Sequence, residues 1–81
     1  MPTVLRIDGY RFVIYVFDHE PAHVHVKGAT GEAIFLLNCP AGTPTLRKNF
    51  GFNLPELTRI RRKVQDNLSL LCSAWKDIHE A

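Results

Sequence analysis

The stretch Thr3–Phe17, TVLRIDGYRFVIYVF, decides how the chain is read. Asp8-Gly9 stands between two runs rich in β-branched and aromatic residues, and both turn positions tolerate the positive φ that a two-residue hairpin needs. Thr3–Ile7 and Tyr10–Phe17 are therefore predicted to pair as antiparallel strands. The turn sets the register: Ile7 faces Tyr10, Leu5 faces Phe12 and Thr3 faces Ile14, which makes one apolar face. On the other face Arg6 falls directly opposite Arg11. A like-charge pair at that spacing costs stability unless an anion, a carboxylate or open solvent separates the heads.

Outward from the hairpin, Asp18 to Ala22 reads as a connection, because Pro21 cannot donate to a ladder. His23–Lys27 then alternates strictly, with Val24 and Val26 on one side and His23, His25 and Lys27 on the other. A turn at Gly28-Ala29-Thr30-Gly31 leads to a fourth strand, Glu32–Leu37, whose Ala33, Phe35 and Leu37 join the valine side. One sheet face thus collects Arg6, Arg11, Tyr15, His23, His25, Lys27 and Glu32, and the opposite face is the core. Val13, Phe17, Ile34 and Leu36 fall on the histidine face as well, more apolar surface than a small sheet leaves wet, so a loop, a second copy or another protein is expected to cover it.

Residues 38–52, NCPAGTPTLRKNFGF, hold two prolines and two glycines and read as a loop, with a short helical turn placed at 46–50. Asn53 with Glu56 three positions later is a capping box. From there Leu57, Ile60, Val64, Leu68, Leu71, Trp75 and Ile78 form one apolar stripe, which predicts a single helix over 54–79. The expected fold is α+β: one domain, residues 1–81, with a four-stranded antiparallel meander over 3–37, a loop over 38–52, and one long C-terminal helix on the inner sheet face.

Bulk composition agrees with a globular domain, since 46% hydrophobic and 22% charged residues exclude a disordered chain. The longest apolar run, Phe12–Phe17, is too short to span a bilayer, and no basic segment followed by an apolar one opens the chain, so a cytoplasmic protein without membrane association is expected. Cys39 and Cys72 lie far apart, outside any CxxC spacing, and are expected as free thiols. The net charge of +2 conceals an asymmetry. Arg47, Lys48, Arg59, Arg61, Arg62 and Lys63 against Glu56 alone give residues 47–63 a charge of +5, while the segments on either side are net negative.

Three constellations bear on chemistry. DHEPAHVHV (residues 18–26) gathers His19, His23 and His25. One reading is a site for a divalent metal such as zinc on those three histidines, with Asp18 or Glu20 completing the shell. A second reading needs no cofactor: Arg6, Arg11 and Lys27 neutralise phosphate, His23 and His25 move protons, and Tyr15 stands beside them, as in metal-independent RNA cleavage. A third is a plain polar strand. Separately, Arg59, Arg62 and Lys63 form one arc of the helix, with Arg47 and Lys48 preceding it, a surface for an acidic partner or nucleic acid that pairing of Arg62 with Asp66 and of Arg59 with Glu56 would partly offset. Ser69 and Ser73 sit in no GxSxG elbow, and GATG is too short for a phosphate loop.

Taken together, MPTVLRIDGYRF, DHEPAHVHV, GEAIFLLN and GF before a long amphipathic helix resemble domain of unknown function family 4160, short bacterial proteins, over nearly the whole chain. Asp8, Gly9, His19, Glu20, Pro21, His23, His25, Gly31 and Glu32 match its pattern; Ala22 replaces a usual proline and Ile34 a usual lysine. The resemblance implies a toxin–antitoxin-like pair, because members are often encoded beside a small DNA-binding partner of domain of unknown function family 2442. This chain would be the toxin-side component, meeting an antitoxin-type protein, a second copy of itself, or RNA through the histidine and arginine face. With Ile34 across from His25, the cation expected beside the histidines is missing there.

Overall fold

The computed structural model describes residues 3–79, and its first hairpin turns where the sequence places it. Asp8 and Gly9 take φ of 52° and 84°, the left-handed pair whose twist matches the strands that it joins. β1 (Thr3–Ile7) and β2 (Tyr10–Val13) set Ile7 opposite Tyr10, Arg6 opposite Arg11 and Leu5 opposite Phe12. A bulge between Thr3 and Leu5 then shifts the register, so Thr3 meets Val13 and not Ile14. β2 also ends at Val13 and not at Phe17. Asp18 is the cause, since its Oδ2 accepts the Tyr15 N–H at 3.1 Å and its own N–H donates to the Tyr15 carbonyl at 3.1 Å, which closes a turn. Val16 and Phe17 are left exposed at the tip.

β3 (His23–Lys27) and β4 (Glu32–Leu36) continue the meander as predicted, but a fifth strand follows. β5 (Thr45–Phe50) lies where a loop and helical turn were expected. All six of its residues are exposed, so no buried alternation marks it in the sequence. Backbone pairing with β4 holds it: Glu32 faces Phe50, Ile34 faces Lys48 and Leu36 faces Thr45, with a bulge between Ile34 and Phe35. The preceding turn is built by Asn38, left-handed at φ 54°, whose amide donates to the Thr43 carbonyl at 2.7 Å and to Thr45 Oγ1 at 3.0 Å. Gly31 lets the edge strand approach, because a Cβ there would run into the Phe50 carbonyl oxygen.

The expected long helix is two. α1 (Leu54–Asp66) begins at Asn53, whose Oδ1 accepts the Glu56 N–H at 2.9 Å, and α2 (Leu68–His79) follows after a single residue. Asn67 makes the break: its backbone leaves helical values (φ −115°, ψ 20°) and its amide donates to the Lys63 carbonyl at 2.8 Å. The apolar stripe runs through regardless. Ile60, Val64, Leu68, Leu71 and Trp75 are buried against Phe12, Ile14, Val24, Val26, Ala33, Phe35 and Leu37 of the sheet and its loops.

Cys39 and Cys72 are joined in a disulfide (Cα–Cα 5.9 Å), which corrects the expectation of two free thiols. Thirty-three residues of sequence separate them. Their proximity arises only once α2 folds back beside the chain leaving β4, a relation that linear spacing does not carry. Among the described residues, no helix is long and apolar enough to cross a membrane.

Candidate functional site

The helices cover one side of the sheet, and the register arranges the other side in rows that cross the strands. Arg6, Arg11 and Lys27 face one another in turn across β1, β2 and β3, and the row continues through Glu32 to Phe50 on β5. Three cations therefore stand side by side on three adjacent strands. Lys27 is held close to Tyr15, its ammonium 5.4 Å from the ring centroid. Its pKa is raised above the usual lysine value, first by hydrogen bonding to the Tyr15 hydroxyl and further by Glu32, while burial and Arg11 act against the shift. The next row sets Val13, His25, Ile34 and Lys48 in line.

Beside these rows the loop between β2 and β3 brings Asp18 over the histidines. Asp18 Oδ2 lies 3.4 Å from His23 Nε2 and 3.4 Å from His25 Nε2. Both rings are anchored at their other nitrogen. His23 Nδ1 is 2.9 Å from the Pro21 carbonyl oxygen, which only accepts, so that nitrogen carries the hydrogen. His25 Nδ1 is 3.3 Å from Glu32 Oε2 in the same relation. The His23 and His25 rings are 5.4 Å apart, Tyr15 meets His25 edge-on at 4.8 Å, and Trp75 of α2 stands 5.2 Å from His23. The side chains of His23, His25 and Asp18 are only 8%, 14% and 17% exposed. Among the described residues His25 Nε2 is buried without a hydrogen-bond partner.

The residues singled out from sequence thus divide. His23, His25, Tyr15, Lys27 and Glu32 come together, with Arg6 and Arg11 in line beyond them. His19 is exposed and stands outside the group of three whose donor atoms lie within 4.8 Å of one another; Asp18 holds the place proposed for it. Asp18 joins because a turn, not strand alternation, aims it, and its position directly before the histidine segment is the only signal in the sequence. The basic segment is split. Lys48 belongs to the open face, in the row of His25 and two strands away from it, which supplies a cation on β5 where β4 carries Ile34. Arg47 is exposed on the same edge strand.

Arg59, Arg62 and Lys63 lie on α1, on the opposite side of the sheet. There Lys63 Nζ pairs with Asp8 at 2.7 Å, and Glu56 Oε2 accepts the Tyr10 hydroxyl at 2.6 Å, with Arg59 beside it. Among the described residues neither Arg62–Asp66 nor Arg59–Glu56 forms an ion pair; the Glu56 carboxylate instead accepts from Tyr10 of the first hairpin. His79 stacks on Trp75 at 3.9 Å and bonds its carbonyl through Nδ1 at 2.9 Å, on the same indole that stands 5.2 Å from His23.

No curated protein and no solved structure matches the chain. The family described as Domain of unknown function (DUF4160) matches residues 9–76, the greater part of the sequence. The chain, whose histidine strand β3 and helix α1 lie wholly inside that match, belongs to the DUF4160 family.

Proposed function

We propose that the protein binds the phosphate backbone of single-stranded RNA through its open sheet face, as one component of a bacterial toxin–antitoxin-like pair acting in the cytoplasm. The observation that carries this reading is the row of Arg6, Arg11 and Lys27. Like charges directly opposite on neighbouring strands repel, and a bound polyanion turns that cost into attraction. Lys48 extends the positive surface, while the exposed Phe50 offers a flat face for a base. Binding is better supported than metal-free cleavage. His25 Nε2 is buried and both Nε2 atoms lie 3.4 Å from Asp18 Oδ2, so the imidazoles are turned toward that carboxylate and not toward the row.

Fluorescence anisotropy with a short labelled single-stranded RNA tests the reading. With about four phosphates neutralised, log affinity falls against log salt with a slope of about −3. Arg11→Ala and Lys27→Ala each lower the affinity and flatten that slope by about 0.7. An affinity equal in wild type and both variants, or no binding at low salt, removes RNA as the ligand. Capture of a purified acidic protein partner by the same face would then assign the row to antitoxin recognition.

A further inference from the structure

The Asp18–His23–His25 cluster answers to a different ligand chemistry from the cationic row, and its assignment does not rest on RNA binding. We infer that these three side chains form a site for one borderline divalent metal ion of the zinc class, held by His23 Nε2, His25 Nε2 and Asp18 Oδ2. Each imidazole commits its Nδ1–H to an oxygen, His23 to the Pro21 carbonyl at 2.9 Å and His25 to Glu32 Oε2 at 3.3 Å. In the neutral rings that leaves the lone pair on Nε2. Both lone pairs converge on one carboxylate oxygen, 3.4 Å from each. Lone pairs and a carboxylate directed at one small volume repel one another, and a cation among them reverses the sign.

The surroundings are those that metal-binding histidines require. A ligating imidazole donates its second N–H to a carbonyl or carboxylate, which fixes the tautomer and the ring orientation. The carboxylate is itself steadied by the Tyr15 N–H at 3.1 Å. Metal bonds of about 2.0–2.2 Å at tetrahedral angles separate neighbouring ligand atoms by roughly 3.3–3.6 Å. The two Nε2–Oδ2 edges already have that length, and the remaining edge, within 4.8 Å, closes as the ion draws the rings together. Two nitrogens and one oxygen with no thiolate select a borderline ion over a soft one, and three protein donors leave a position for water or a further ligand.

The experiment uses the full chain without a histidine tag, stripped with a chelator and titrated with Zn²⁺ by calorimetry and with Co²⁺ by visible absorption. Trp75 is the only tryptophan, 5.2 Å from the His23 ring, so its emission reports the same event. One ion per chain is expected, with cobalt absorption bands, a change in Trp75 emission, and a melting temperature raised by roughly 10 °C at a hundredfold excess over Kd. Asp18→Asn and His25→Gln should each weaken binding by at least about 100-fold, while His19→Ala and His79→Ala leave it within about twofold. Glu32→Gln keeps all three donors and loosens only the His25 anchor, so it serves if the ligand variants fail to fold, with an expected weakening of about 10- to 100-fold. No saturable binding of either ion by folded wild type up to millimolar concentration overturns the site. So does equal binding by wild type, Asp18→Asn and Glu32→Gln, or a loss confined to His19→Ala.

Discussion

Tyr10 joins β2 to α1 by a single hydroxyl, and its titration carries a stability consequence. The hydroxyl donates to Glu56 Oε2 at 2.6 Å, and the ring stands edge-on to Phe52 at 5.9 Å. The bond to Glu56 is the first cause that raises its pKa above 10.0; burial and the Glu56 charge add, and Arg59 opposes. A raised pKa means that the folded chain holds this proton more tightly than the unfolded chain. The contribution is therefore complete below pH 10.0 and lost as pH climbs through the folded value. Tyr10→Phe should cost about 1–2 kcal/mol at neutral pH in denaturant unfolding and should abolish this part of the alkaline loss of stability. Lys63→Ala, by contrast, removes a pair whose Asp8 partner is 68% exposed and should cost under about 1 kcal/mol.

At the scale of elements, the devices that hold β5 and α2 in place are local and open to single substitutions. Gly31→Ala would drive a methyl group into the Phe50 carbonyl oxygen, and release of the edge strand should appear as faster amide exchange across β5 with a loss of about 2–4 kcal/mol. Cys72→Ser opens a bridge spanning 33 residues, a chain-entropy loss of about 3–4 kcal/mol that calorimetry of the oxidised protein and the variant would read. What the sequence discloses follows the same division. Val24, Val26, Ala33 and Phe35 alternate because one face of β3 and β4 is buried, so those strands and their register are legible. β5 has no buried side chain to betray it, and the break at Asn67 is silent because Val64, Leu68 and Leu71 keep their spacing across it. The histidine pair is legible from the same alternation, whereas Asp18 is placed by two turn hydrogen bonds that no periodicity records.

Across the whole molecule the two sides of the sheet obey different physics. The helix side is an apolar core, and truncation at its centre, Leu71→Ala, should cost about 2–5 kcal/mol in reversible unfolding. The open side is charged, with Arg6, Arg11 and Lys27 adjacent, so the ligand-free protein should gain a few tenths of a kcal/mol between low and high salt as the repulsion is screened. Arg11→Gln should remove most of that gain in melting temperature, which separates self-repulsion on the face from general salt effects.

The bridge between Cys39 and Cys72 also bears on how two copies of the chain can meet. Cys39 lies on the turn before β5 and Cys72 in α2, so the bond ties the C-terminal arm back to the segment that would serve as its hinge. An oxidised monomer cannot lend β5, α1 and α2 to a neighbour, because the arm is fastened to its own body. Exchange would require the sulfurs to change partners, and a swapped dimer formed under oxidising conditions would be a covalent one, crossed twice by Cys39–Cys72 bonds between the copies and visible as a dimer on a non-reducing gel.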